Sequence, residues 1–157
     1  LPEVFLETIL RPLGGGDGFS WEGYDDAWLT IDGKRIQSVP GGTHWGGGVR
    51  ISARDQARIG QLLLDGGAHE GKQLLPREWV ASMQTPCPVA PFYGWLTWLN
   101  RDGRLFSDAS RSSWCMIGAG GHLTWIDPDH DAVVVARWLD GGHTADFVAR
   151  VSQALGG

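Results

Sequence analysis

The sequence holds only two cysteines, Cys87 and Cys115. Neither sits in a CxxC or a Cys/His metal spacing, so a disulfide framework is excluded and both read as small buried hydrophobes. So little cysteine is compatible with cytoplasm or periplasm, with the cytoplasm slightly ahead. Lysine is as scarce, at positions 34 and 72, and Asn100 is the single asparagine. The 18 acids and 13 bases form no run of one sign, and the net charge of −5 leaves no basic face for phosphates. Nucleic acid is therefore excluded as a partner. No apolar stretch approaches the roughly 20 residues that a membrane-spanning helix requires. The opening Leu1-Pro2-Glu3-Val4-Phe5 has neither an initiator Met nor the basic segment of a signal peptide.

Motifs that hold metals or nucleophiles are also missing. The histidines at 44, 69, 122, 130 and 143 show no HxxxH or HExxH spacing. Asp127, Asp129 and Asp131 alternate as in a calcium loop, but its sixth and twelfth places hold Ala132 and Trp138. Neither a metal nor a cofactor is expected. No GxSxG occurs, and no serine has a lysine three places on, so a lysine-assisted serine site is not encoded by its usual motif.

What is plentiful is glycine, 24 residues, and tryptophan, nine, in a 157-residue chain that is 42% hydrophobic and 20% charged. These proportions suit one globular domain. The tryptophans fit core and cleft walls, or else a sugar-binding face.

Along the chain, Pro2 to Arg11 places Val4, Phe5, Leu6, Ile9 and Leu10 on a helical stripe. Trp28 to Ile31 and Arg35 to Val39 read as two short strands joined by an Asp32-Gly33 turn. Ser52, three residues ahead of Asp55, caps a helix running to about Asp65, where Gly66 and Gly67 stop it. Pro76 marks a third helix through Met83. Tyr93 to Leu99, Trp114 to Ile117, His122 to Ile126 and Ala132 to Trp138 read as four strands, and Asp146 to Leu155 as a closing helix. Helices, then a strand meander, then a helix predict an α+β fold: an antiparallel sheet with flanking helices.

Two glycine clusters punctuate this order, Gly41 to Gly48 and Gly118 to Gly121. Tight turns explain such clusters; so does backbone kept bare to offer N–H groups to a developing oxyanion.

The succession Arg11-Pro12-Leu13-Gly14, Trp45 to Leu64, Gly71 to Trp79, Tyr93-Gly94-Trp95, Gly118 to Gly121, Asp127-Pro128 and Val133 to Val135 resembles the serine β-lactamase-like family. That family comprises class C β-lactamases, penicillin-binding DD-peptidases, esterases of the same fold and 6-aminohexanoate-dimer hydrolases. There the nucleophilic SxxK and the YxN motif lie upstream of the segment that Leu1 to Gly14 resembles. The resemblance thus implies the C-terminal part of a β-lactamase/transpeptidase-like fold across residues 1–157, inactive alone, its nucleophile supplied by a missing N-terminal segment. It places Met116-Ile117-Gly118 on the family's Lys/His-Thr/Ser-Gly motif, with Ala119 as the oxyanion N–H donor. Ile117, Gly120, Trp45, Gly46 and Tyr93 then border the substrate. Met116 stands where relatives carry a cation for a substrate carboxylate, which argues against β-lactams and peptides and for a small ester or amide. The alternative is a non-catalytic module of the same fold that binds glycans or peptides through its aromatic surface.

Overall fold

A computed structural model of the chain describes residues 1–37 and 48–156. Trp45, Gly46 and the end of the second expected strand at Val39 lie outside the described residues. Leu1–Asp55 and Gln56–Gly157 form two compact units.

The first unit opens with α1 (Pro2–Phe5), which passes directly into a π-helical turn, Leu6–Leu10. Pro12 accounts for the wide turn. It has no amide to donate backwards, and ahead of it the Arg11 N–H reaches the Leu6 carbonyl at 2.9 Å, an i→i+5 bond. Of the expected apolar stripe, Leu10 is fully buried and Val4 is exposed. The strands β1 (Ser20–Trp21), β2 (Trp28–Ile31), β3 (Lys34–Gln37) and β4 (Val49–Arg50) form two antiparallel pairs, β1 with β4 and β2 with β3. Asp32 at φ 51° and Gly33 at φ 74° make the two-residue turn of the β2–β3 hairpin, the left-handed pair that Asp-Gly tolerates best. Phe5 packs on Phe19 and Trp21, with ring centroids 5.7 and 5.9 Å away.

Helix α2 (Ala53–Leu64) starts at the end of the first unit and runs into the second. Its cap is the one expected: the Asp55 N–H donates to Ser52 Oγ at 3.0 Å. Its stop is a Schellman pair, in which Gly67 N–H reaches the Leu62 carbonyl at 2.7 Å and Gly66 N–H the Leu63 carbonyl at 3.2 Å, with Gly66 at φ 63°. A small hairpin follows, β5 (Ala68–His69) and β6 (Lys72–Gln73), turned by Glu70 and Gly71. Sequence reading passed over it because Glu-Gly is not among the usual turn pairs.

After α3 (Arg77–Met83) come β7 (Trp98–Leu99), β8 (Trp114–Gly118), β9 (His122–Asp127) and β10 (Ala132–Ala136), then α4 (Thr144–Gly156). Among the described residues these four strands form one antiparallel sheet in the order β10-β9-β8-β7. The strand expected over Tyr93 to Leu99 shrinks to two residues. Gly94 N–H bonds to the Thr97 carbonyl at 2.9 Å, Thr97 Oγ1 donates to the Met83 carbonyl at 2.5 Å, and Leu96 sits at φ 57°. These bonds curl the chain away from the ladder. Trp138 also falls outside its expected strand, because Leu139 N–H turns to the Gly121 carbonyl at 3.0 Å.

The register divides the sheet's side chains between two faces. Leu99, Trp114, Ile126 and Val133 stand opposite one another and pack with Ile59 and Leu63 of α2 and Val80 and Met83 of α3. Trp98, Cys115, Trp125 and Val134 form the other row, packed with Phe147, Val148 and Val151 of α4. Gly60 lets α2 lie close to β10, since a Cβ there would come within 2.5 Å of Val133 Cγ1. Helices from within this unit therefore cover both faces. Trp125, Ile126 and Val148 are fully enclosed, and each such side chain contributes about 1.5–3 kcal/mol of burial. No helix among the described residues is long and apolar enough to cross a membrane.

Candidate active site

The glycine cluster after β8 turns out to have two kinds of member. Gly118 pairs with His122, leaving Ala119, Gly120 and Gly121 as a three-residue hairpin loop. Gly120 at φ 85° and Gly121 at φ 73° occupy the left-handed region that the loop requires. Gly118 is in the strand, where a Cβ would meet only His122 Cβ at an ordinary 3.4 Å. Turn geometry explains Gly120 and Gly121, and it does not explain Gly118.

Beside this turn the edge of β8 is open. The Asn100 N–H donates to the Ser113 carbonyl at 3.0 Å, so the backbone groups of Ser113 face β7. Alternation then turns those of Cys115 and Ile117 the same way. But β7 ends at Trp98, opposite Cys115. Ile117 therefore presents its N–H and C=O to an edge that no described strand occupies. The Ala119 N–H has no hydrogen-bond partner among the described residues. Ile117, Gly118, Ala119 and Gly120 are all exposed.

Of the residues singled out by sequence, the structure brings these four together along one edge. Met116 lies in the same strand, but its side chain packs half-buried against the Leu63, Val80 and Leu99 cluster. Tyr93 lies edge-on to Trp98 at 4.9 Å, beside the part of β8 that β7 covers. Trp45 and Gly46 are not among the described residues.

Two further features at the turn end escaped sequence reading. The His122 imidazole meets Trp138 edge-on at 4.6 Å, and Trp138, held at φ 58°, is 79% exposed beside Gly120. Gln56 of α2 donates to Thr124 Oγ1 at 2.7 Å and accepts from Arg137 Nε at 2.8 Å. Thr124 is the cross-strand partner of Met116, so a cation does stand on this face, carried by Arg137. A contact across 81 positions leaves no local spacing to find.

Two nucleophiles elsewhere in this unit, Cys115 and Ser110, are poorly placed for catalysis. Burial pushes the Cys115 thiol up to about 12, which keeps it protonated. At the far end of β9 the enclosed Asp127 holds His130 Nδ1 at 2.9 Å and accepts from Asp129 N–H at 3.2 Å. Ser110 is nearby, but its hydroxyl bonds to the Asp129 carboxylate, not to the imidazole, so no serine–histidine relay forms. Hydrogen bonds from Ser110 and Ser112, aided by His130, hold that carboxyl below the usual range. Among the described residues no cluster of three or more acids, histidines or cysteines could hold a metal ion.

The chain is 30% identical over 151 residues to the 6-aminohexanoate-dimer hydrolase of Paenarthrobacter ureafaciens, a match covering 85% of this chain and 35% of that protein. A solved structure assigned as a 6-aminohexanoate-dimer hydrolase from Bacillus anthracis superposes with a TM-score of 0.52 at 25% identity, over 69% of this chain and 29% of that one. Another, assigned as a β-lactamase from Bacteroides dorei DSM 17855, gives a TM-score of 0.57 at 16% identity, over 98% of this chain and 49% of that one. The last is a likeness of fold alone. No family model matches the chain. The chain thus spans about a third of the length of the curated relative it matches.

These findings correct the expectation of a C-terminal part only, inactive alone and dependent on a missing segment for its nucleophile. The likeness runs over nearly the whole chain, reaching 98% of it in one superposition. Antiparallel sheets with flanking helices likewise extend through both units. In sequence the chain is thus similar to a 6-aminohexanoate-dimer hydrolase, and in fold to a protein assigned as a β-lactamase.

Proposed function

We propose that this chain acts in the hydrolysis of a small ester or amide, and that the open edge of β8 binds the reacting carbonyl group. The observation that carries the reading is the exposed run Ile117 to Ala119, where backbone donors face an edge that no described strand fills. A tetrahedral oxyanion needs donors about 3 Å away, fixed before the reaction begins. The unpartnered Ala119 N–H, held at the mouth of a tight hairpin, is our candidate. Gly118 keeps side-chain bulk off the approach, and Ile117 and Gly120 border it. Met116 is half-buried and turned away from this edge, so the strand offers no charge there to a substrate carboxylate, which favours esters and simple amides over β-lactams.

Turnover of p-nitrophenyl acetate, p-nitrophenyl butyrate and the 6-aminohexanoate dimer tests this. Ala119→Pro removes the N–H and should lower the rate on the order of 100-fold. Ala119→Ser keeps the N–H and should retain most activity. Equal rates in wild type and a folded Ala119→Pro would refute the donor assignment, and no turnover of any of the three by wild type would refute the hydrolase reading.

A second reading is favoured by one observation. Trp79 and Trp95 meet edge-on at 5.6 Å and are 45% and 60% exposed, a solvent-facing aromatic pair. If the chain is a non-catalytic module for glycans or peptides, affinity electrophoresis in soluble polysaccharide will retard wild type and not Trp95→Ala, with no ester turnover.

A further inference from the structure

At the start of β8, roughly 15 Å along the strand from Ala119, the loop between β7 and β8 closes on a cleft of about 420 Å³. Two arginines line it, Arg101 and Arg111, and no carboxylate does. Several other exposed arginines have acidic partners, as Arg11 has Asp17, Arg50 has Glu22 and Arg104 has Asp102. Arg101 and Arg111 form no ion pair among the described residues. On a chain of net charge −5, two such guanidinium groups at one cleft are a local exception.

Both are held by backbone. Arg101 Nη2 donates to the Gln84 carbonyl at 3.0 Å. The Arg111 guanidinium fills the space a side chain on Gly103 would take, with Nη1 only 0.9 Å from that Cβ position. Gly103, at φ 70°, is thus required both by its turn and by the arginine lying over it. Arginines fixed in this way have lost part of their rotamer freedom before any ligand arrives, and the planar guanidinium matches two-oxygen acceptors. The cleft is floored by Leu99 and Trp114, each 2% exposed. The Trp114 indole N–H bonds to no described residue, yet unlike those of Trp21 and Trp125 it is not sealed from solvent. Open to solvent, it is free to donate to an acceptor that enters the cleft. Of the acids close by in the chain or bonded to a lining residue, Asp102 is paired with Arg104 and Asp129 is engaged by the Ser110 and Ser112 hydroxyls.

We propose that this cleft is a binding site for a small oxyanion, a carboxylate or phosphate group, held between Arg101 and Arg111 with the Trp114 indole N–H as a third donor. It is separate from the edge at Ala119 and does not depend on the chain being a hydrolase.

The test is a titration of the ¹⁵N-labelled full chain with inorganic phosphate and, separately, succinate, against sodium chloride at matched ionic strength. Saturable shifts of the Trp114 indole resonance with either anion are expected, and the tighter of the two identifies the group. Arg101→Gln combined with Arg111→Gln should weaken binding about tenfold or more, while Arg150→Gln on the exposed face of α4 should not. Because Arg111 packs on Gly103, Arg101→Gln alone serves if the double variant unfolds. No saturable shift in wild type at tens of millimolar of either anion would overturn the site, as would equal weakening by Arg150→Gln or shifts reproduced by chloride.

Discussion

Gly121 and Leu139 are joined backbone to backbone across the end of the sheet. The Leu139 N–H donates to the Gly121 carbonyl at 3.0 Å, and a Cβ on Gly121 would stand 1.8 Å from the Leu139 carbonyl oxygen. The contact seats the β8–β9 turn against the segment leaving β10, and it leaves no room for a side chain. Gly121→Ala combines a left-handed φ with a clash against backbone, so it should cost about 2 kcal/mol or more. Gly120→Ala meets only Trp138 and His122 side-chain atoms, at 3.4 and 3.5 Å, and should cost about 1 kcal/mol from its φ alone. Urea denaturation of the two variants checks the order, which a purely conformational account would make equal.

Asn100 has every acceptor and donor of its side chain in use. Its Nδ2 reaches the carbonyls of Phe106, Ala109 and Ser110, and its Oδ1 accepts from the Phe106 N–H, all around an amide that is fully buried. Asn100→Ala leaves several buried backbone groups unpaired, so a loss of about 2–4 kcal/mol is expected. Asn100→Asp, which cannot donate, should fare no better. Thermal unfolding would show it, and exchange of the loop amides at 101–112 should rise first.

Met116 packs with Leu63, Val80 and Leu99. Met116→Leu should therefore cost less than about 1.5 kcal/mol, while Met116→Lys places an ammonium against the apolar cluster and should destabilise clearly more. Gain of nitrocefin hydrolysis by a folded Met116→Lys would show that this position alone withholds β-lactam activity. We expect none, because the side chain faces α2 and α3 and not the open edge.

Burial raises the Cys115 thiol from 9.0 in the unfolded chain to about 12 when folded. The sign follows from the raised value. The contribution to stability is present below pH 9 and is lost as pH rises toward 12, because only the unfolded chain gives up the proton easily. A thiol reagent at pH 8 should label the partly exposed Cys87 and leave Cys115 untouched until the protein unfolds. Labelling of both at one rate in folded protein would contradict this.

Local chemistry was readable in the sequence where one or two residues decide the geometry. The Asp32-Gly33 turn, the Ser52 cap and the Gly66-Gly67 stop all form as their residue types dictate. Antiparallel strands with helices before and after were legible for the same reason, since the β-branched and aromatic runs Val133 to Val135 and Leu123 to Ile126 need no distant partner to be seen. Reading failed where a distant bond overrides local preference. Thr97 prefers the Met83 carbonyl to a place in the ladder, and Leu139 prefers Gly121, so the first strand of the sheet starts late and the last ends early. The candidate site divides similarly. The bare run at Gly118 to Gly120 was visible as glycine, but the openness of the edge depends on where β7 stops. The clustering of Arg101 with Arg111 depends on a loop that Asn100 gathers, and neither leaves a periodic mark.

The sheet of the second unit is covered by helices on both faces, so a molecule that engages β8 must come in from the side. Contact from the side is made with main-chain amides and carbonyls, which are the same whatever side chains flank them. Recognition there reads the spacing of donors and acceptors in the incoming molecule and is indifferent to most of its substituents. If the edge binds the reacting carbonyl as proposed, a wide tolerance among acyl chains follows, limited by the girth of Ile117 and Trp138 rather than by any matched polar group.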